Sequence, residues 1–205
     1  MELQRRKVEI EFITELLGTV PKNKEIYGDY ILKKAQDRGI EVDVQDELET
    51  MDEMLEVGWT GFHKDQDGLF LYDYLVKGNI KANIETLIMS KTINKIPAYK
   101  SACDRVVFIY PRHLHFLQDA DIMIEPSGVL ERPIRVIVAK GPRVGLVKSD
   151  FIYVGAKIRF QVAILPNPKI SWELVEKAFD YGEYYGLGQW RGSGGYGRYR
   201  WKYIE

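Results

Sequence analysis

Val8, Ile10 and Phe12 alternate with Glu9, Glu11 and Ile13 in the segment Lys7–Leu17. That period of two predicts a half-buried strand, ended by Gly18 and Pro21. The pattern then lengthens to a helical one. Asn23 is placed to cap a helix running to about Gln36, with Ile26, Tyr30 and Leu32 on its stripe. Leu48, Met51, Met54 and Leu55 predict a second helix over Gln45–Val57. His63–Gly68 reads as a turn, because Asp-Gly tolerates positive φ. Ile80, Ile84, Leu87 and Ile88 predict a third helix over Tyr74–Ser90. From Asp104 onward, strands are expected over Arg105–Tyr110, Ile122–Glu125, Ile134–Ala139, Val144–Lys148 and Ala156–Leu165, separated by turn residues. Ser171 has the chemistry of a helix N-cap, with Ile170 and Val175 as a hydrophobic staple around it. That helix continues through Phe179 to about Tyr185. A glycine-rich loop and a last strand, Arg198–Ile204, close the chain. One strand, helices, several strands, a helix and a final strand predict an α+β domain with antiparallel pairing.

The 205 residues fit one large domain or two small ones, and no repeat or linker divides them. Residues 1–205 are therefore read as one domain. No apolar run approaches the ~20 residues of a membrane span, so no membrane partner is expected. The charged start Met1–Lys7 lacks the apolar core of a signal peptide. A single cysteine, Cys103, excludes an internal disulfide and a cysteine zinc cage. A reducing cytoplasm is the expected compartment.

Charge is uneven. Residues 37–56 hold nine acidic groups against Arg38 alone, a segment charge of −8, which leaves the rest of the chain at +7 within a total of −1. The basic remainder would attract a polyanion and the acidic segment would repel one. The same layout also describes a solvated acidic helix face beside an ordinary mixed surface.

The densest local signal is Gly186–Trp201. Six glycines fall in the twelve residues 186–197, among them Gly188, Gly194, Gly195 and Gly197. Such a segment folds tightly and can expose N–H groups to an anion. Arg191, Arg198 and Arg200 add guanidinium forks that match phosphate. Trp190, Tyr196, Tyr199 and Trp201 offer faces for stacked bases. Basic groups interleaved with aromatics are the composition of single-stranded nucleic-acid binding. The alternative is a glycine-rich hairpin whose aromatics belong to the core. The loop is neither a Walker motif nor a dinucleotide fingerprint, because no Gly-Lys-Ser/Thr follows and it leads from a helix into a strand.

Lys77 and Lys81 fall four apart on one helical face, with Gly78 beside them to admit a close backbone. A helix start with two lysines suits phosphate; exposed lysines on an amphipathic helix are the plainer reading. Catalytic signals are sparse. His113 and His115 share a face if their segment is a strand, and a carboxylate such as Asp119 or Asp121 would complete a metal set. Nothing in the sequence fixes that third ligand, so neither metal nor cofactor is expected. Asp65 and Asp67 read as turn residues, and Cys103 has no activating partner.

In this order, three segments resemble the RAMP superfamily, the RNA-binding backbone subunits of CRISPR effector complexes, particularly the type III kind. The first strand ends in a glycine turn, Val8–Gly18. Lys64–Gly68 followed by Leu75–Lys81 is similar to the family's Arg-Asp-Pro-x-x-Gly turn and Ser-Leu-Lys-Gly-x-x-Arg helix start, with Lys81 for arginine. Val154–Phe160, the Ser171 helix and Leu187–Arg198 match its Pro-Gly-x-x-Phe strand, helix and Leu-Gly-x-x-Arg-Ser-x-Gly-Tyr-Gly-Arg loop. The chain also looks like prophage-encoded proteins of this length. The resemblance implies a ferredoxin-like (RRM-like) core with an antiparallel sheet, helical insertions and a β-hairpin extension. It implies a single-stranded RNA or DNA partner flanked by Lys77, Gly78, Lys81, Gly188, Trp190, Arg191, Gly194–Gly197 and Arg198. Self-association along the strand, or assembly with CRISPR-type subunits, follows from the same likeness. Two departures matter. Trp59 stands where type III subunits carry their cleaving aspartate, so no enzyme activity is expected, and the Lys77 motif lacks its preceding serine. The acidic segment 37–56 is an insertion; a phage-borne protein-interaction role, such as inhibition of a CRISPR complex, is the alternative function it carries.

Overall fold

The computed structural model describes residues 2–22, 58–138 and 141–205, with backbone alone over 134–138 and 141–145. The two helices expected over 23–36 and 45–57, and the acidic insertion, lie outside the described residues.

The fold is α+β. Strand β1 (Gln4–Phe12) lies between β13 (Lys157–Ile164) and β14 (Tyr199–Ile204), antiparallel to both, and β7 (Val107–Tyr110) pairs antiparallel to β13 on its far side. The order is thus β14-β1-β13-β7. Helix α1 (Asp73–Met89) comes between β1 and β7 in the chain and rests on β7. Helix α3 (Trp172–Tyr185) joins β13 to β14 and rests on β14; the two helices pack on each other. Alternation drives this layer. Val8, Ile10 and Phe12 point to the helices and are buried with Ile158, Phe160 and Val162 of β13 and Ile80, Ile84, Val175 and Phe179 of the helices. Each such side chain contributes roughly 1.5–3 kcal/mol of transfer free energy.

The odd residues of β1 face the other side of the sheet. Glu9, though buried, meets Arg159 at 2.7 Å and Lys202 at 3.1 Å from the flanking strands. Burial works to raise its pKa, but these two partners outweigh it and hold the carboxyl below its ordinary value.

Two smaller sheets surround this layer. β11 (Gly128–Val138) and β12 (Gly141–Ile152) form a long antiparallel hairpin. The end of β12 pairs with β2 (Leu16–Leu17) and runs parallel to β4 (Trp59–Gly61), which in turn pairs with β3 (Val20–Pro21). β5 (His63–Lys64), β6 (Leu69–Tyr72) and β8 (His113–His115) make a third sheet, and β6 runs directly into α1. β9 (Leu117–Gln118) and β10 (Asp121–Ile122) form a short edge beside β13. A helix the spacing did not predict, α2 (Tyr99–Val106), precedes β7. Ser171 caps α3, its Oγ accepting from Leu174 N at 3.3 Å, and Ile170 and Val175 beside it are buried. Among the described residues no helix is long and apolar enough to cross a membrane.

Candidate nucleic-acid interface

The glycine-rich loop is built from two arms and a tip. The arms, Gly186–Gly188 and Tyr196–Arg198, are tied to each other and to the strand ends around them. Leu187 N donates to Gly197 O, Gly197 N to Glu15 O, and Arg198 N to Thr14 Oγ1, each at 2.8 Å. Gly197 has φ +69°, and a Cβ there would overlap the Leu187 carbonyl. Only glycine fits. The N–H groups of Gly186, Leu187, Tyr196, Gly197 and Arg198 are therefore engaged by the fold rather than presented to an anion.

Gln189 locks the base of the tip. Its Nε2 lies within hydrogen-bond reach of Gly18 O, of Thr60 Oγ1 at 2.7 Å and of Ser149 Oγ at 3.0 Å, so its two N–H groups join the loop to β4 and β12. The tip, Trp190–Gly195, contains a single 3₁₀ turn, Gly192–Gly194. Trp190 has φ +55°, a left-handed conformation costly for an aromatic residue, and the residue is 47% exposed.

Trp190 is stacked on a residue from a distant strand. The Arg132 guanidinium, from β11, lies 4.3 Å from the Trp190 ring centre and 5.8 Å from that of Tyr196. Its Nε and Nη1 are buried and have no hydrogen-bond partner among the described residues. Burial holds its pKa below the ordinary arginine value. Two buried donors of this guanidinium are thus unsatisfied, a cost that its cation–π contact with Trp190 partly offsets. No local motif could reveal it, because Arg132 reaches the loop only through the hairpin.

The two arginines of the loop part ways. Arg198 Nε donates to Glu183 O at 3.1 Å, in the last turn of α3, where a cation complements the helix dipole. Arg191 instead sits over the Tyr185 ring at 5.3 Å and lines a cleft of about 510 Å³. Across that cleft lies α1, with Tyr74, Gly78, Lys81 and Glu85 in the wall, beside Lys100 and Asp104 of α2, and Lys100 is paired with Glu85 at 2.9 Å. A Cβ added at Gly78 would meet nothing within 4 Å, so this glycine leaves the helix backbone open to the cleft. The lysines beside it converge on Asp104: Lys81 Nζ is 2.7 Å from its carboxylate and Lys77 Nζ is 3.0 Å from its carbonyl oxygen. Burial lowers the Lys77 pKa, with Asp104 opposing the shift.

A buried network fixes the two walls relative to each other. Asn79 of α1 donates to Gly186 O at 2.8 Å and accepts from the Tyr199 hydroxyl at 3.0 Å. Asn83 donates to Ala178 O at 2.9 Å and to Asn79 Oδ1 at 3.1 Å. Gly182 makes room for the Tyr199 ring, since a Cβ there would overlap it. Of the four loop aromatics, Tyr199 is thus fully buried core and Trp201 packs on Phe179, while Trp190 and Tyr196 remain at the surface with Arg132.

The remaining candidates lie elsewhere. Trp59 Nε1 donates to Asp150 at 2.7 Å, and Asp150, 2% exposed, is also paired with Lys22 at 2.9 Å. Cys103 is buried and its thiol is pushed up to about 11 by that burial. His113 and His115 do share a face of β8, but neither Asp119 nor Asp121 is their partner. Both rings meet Asp65, from the turn between β5 and β6. No family model matches the chain, and no curated protein matches it in sequence.

Proposed function

We propose that this protein is a non-catalytic binding module for single-stranded nucleic acid, RNA in preference to DNA. The reading rests on one observation: Gly78 and Lys81 of α1 and Arg191 of the glycine-rich loop, far apart in sequence, line the same cleft. In this account the phosphate backbone passes over Gly78, where no side chain stands in its way. Arg191 and Lys81 contact phosphate, and Trp190, held between solvent and Arg132, stacks on a base. Arg198 and the glycines of the arms hold the loop in shape.

The strand order β14-β1-β13-β7, with α1 and α3 following the first and third strands of the layer, supports a ferredoxin-like core. The β11–β12 hairpin is then the extension that such a core carries in the RAMP-like reading. The Trp59 and Asp150 side chains are engaged with each other and with Lys22, which favours binding over strand cleavage at that position.

The test is a titration of labelled single-stranded RNA and single-stranded DNA with the purified protein at two salt concentrations. Binding should weaken with salt, because each neutralised phosphate releases counterions, and RNA should bind more tightly than DNA. An Arg191→Ala variant should bind more weakly. Absence of binding at low salt would remove this reading and shift attention to a protein partner for the acidic segment 37–56.

A further inference from the structure

We propose that Asp65, Asp67 and His115 bind one divalent transition-metal ion, with His113 orienting the Asp65 carboxylate from behind. Two chain segments supply the set. Asp65 and Asp67 come from the β5–β6 turn, and the histidines come from β8, which the third sheet brings alongside β6 in antiparallel register. Tyr72 pairs with His113 and Phe70 with His115, so both imidazoles fall on the sheet face above the turn. The donor atoms of Asp65, Asp67 and His115 all lie within 4.8 Å of one another.

The separations suit coordination. His115 Nε2 is 2.9 Å from Asp65 Oδ1. Bonds of about 2.0–2.2 Å to nitrogen and oxygen put neighbouring ligand atoms about 3 Å apart. Closing the set therefore requires Asp67, which is exposed, to swing inward by up to about 2 Å. The turn is already fixed for this. Asp65 Oδ1 accepts from Asp67 N at 3.0 Å and Gly68 N at 3.1 Å, and Oδ2 faces His113 Nδ1 at 2.8 Å. That ring is itself stacked on Phe70, centres 3.9 Å apart. A hydrogen-bonded, immobilised carboxylate is the usual support around a metal ligand.

The chemistry selects the ion. Two carboxylates balance a double positive charge, and an imidazole among them favours zinc or another borderline transition ion over magnesium or calcium. Coordination uses the Nε2 lone pair, so the neutral His115 ring carries its proton on Nδ1 when the ion is bound. The Nε2–H bond to Asp65 is replaced by two bonds to the metal. Water fills the remaining positions. The ion would join the β5–β6 turn to β8 across 50 residues of chain, in the sheet that leads into α1.

The 205-residue chain, stripped with EDTA, dialysed against Zn²⁺ and desalted, should retain about one equivalent of zinc by elemental analysis. Its melting temperature should rise with Zn²⁺ and not with Mg²⁺. His115→Ala should retain about tenfold less or lower still. Because His115 also supports the turn, Asp67→Ala is the decisive variant: its side chain is exposed, so it should fold and melt like the EDTA-treated wild type while losing the zinc-dependent rise. Zinc retention in Asp67→Ala equal to wild type, or no retained zinc in the wild type, would overturn the proposal. Displacement of the zinc by excess Mg²⁺ would overturn the choice of ion.

Discussion

The glycine-rich loop and the start of α1 both carry glycine beside basic residues, yet the two glycines that matter most work in opposite ways. Gly197 is enclosed: its φ is positive and its missing Cβ is where the Leu187 carbonyl passes. Gly78 is open, with nothing within 4 Å of the place a Cβ would take. The first is required by the fold. The second is tolerated by the fold, against helix propensity, and serves the surface. A glycine-rich motif therefore need not be a ligand cradle; here the N–H groups of Leu187, Gly197 and Arg198 are already engaged by the fold.

The largest effect should come from filling the enclosed positions. Gly197→Ala and Gly182→Ala should each lower stability by about 2 kcal/mol or more, through steric overlap and, at Gly197, backbone strain. Denaturant unfolding measures this directly. Gly78→Ala should act with the opposite sign, raising stability by up to about 1 kcal/mol through helix propensity. Gly78→Leu, with the larger side chain, should close the cleft without disturbing the fold.

The two arginines sharpen the same contrast. Arg198→Ala should cost about 0.5–1.5 kcal/mol of stability as the Glu183 carbonyl loses its charged partner. Arg191→Ala should leave the melting temperature unchanged. It should reduce the slope of log affinity for single-stranded RNA against log salt by about 0.7, the contribution of one phosphate contact.

The smallest effect concerns the sheet face away from the cleft. Glu9 is ionised more readily in the folded chain than in the unfolded one, so its contribution is present above about pH 4.5 and fades as pH falls through its lowered value. Glu9→Gln should be slightly less stable than wild type at neutral pH, by under about 1 kcal/mol because Arg159 and Lys202 are largely exposed. The difference should vanish in acid. A gap that persists at low pH would assign the effect to packing instead of charge.

Much of the central layer was legible from periodicity. The strand at Val8–Phe12, helix α1, the Ser171 cap and the strand at Lys157–Ile164 all follow from spacing and capping chemistry, because each carries a full apolar stripe. Helix α2 did not show itself. Its polar sequence buries Cys103 and Val106, and it starts at Ala98 with no side-chain cap. The site was legible in part. Gly78, Lys81 and Arg191 could be picked out as residue types suited to phosphate, but their meeting in one cleft is tertiary. Arg132 and Asp65 were out of reach for the same reason. Each acquires its neighbours through strand pairing with a distant segment, Arg132 through the β11–β12 hairpin and Asp65 through the pairing of β6 with β8. Tyr199, by contrast, looked like a stacking face and is core, because Gly182 makes room for its ring beneath the loop.

On the proposed reading, α1 and the loop tip form one binding surface. The most direct test is a double-mutant cycle on single-stranded RNA affinity, using wild type, Gly78→Leu, Arg191→Ala and the double variant at one salt concentration. Both single variants should bind more weakly, and their effects should be non-additive by about 0.5 kcal/mol or more, as expected for groups that contact one ligand in one cleft. Unchanged affinity in Gly78→Leu, with its fold intact, would contradict the account.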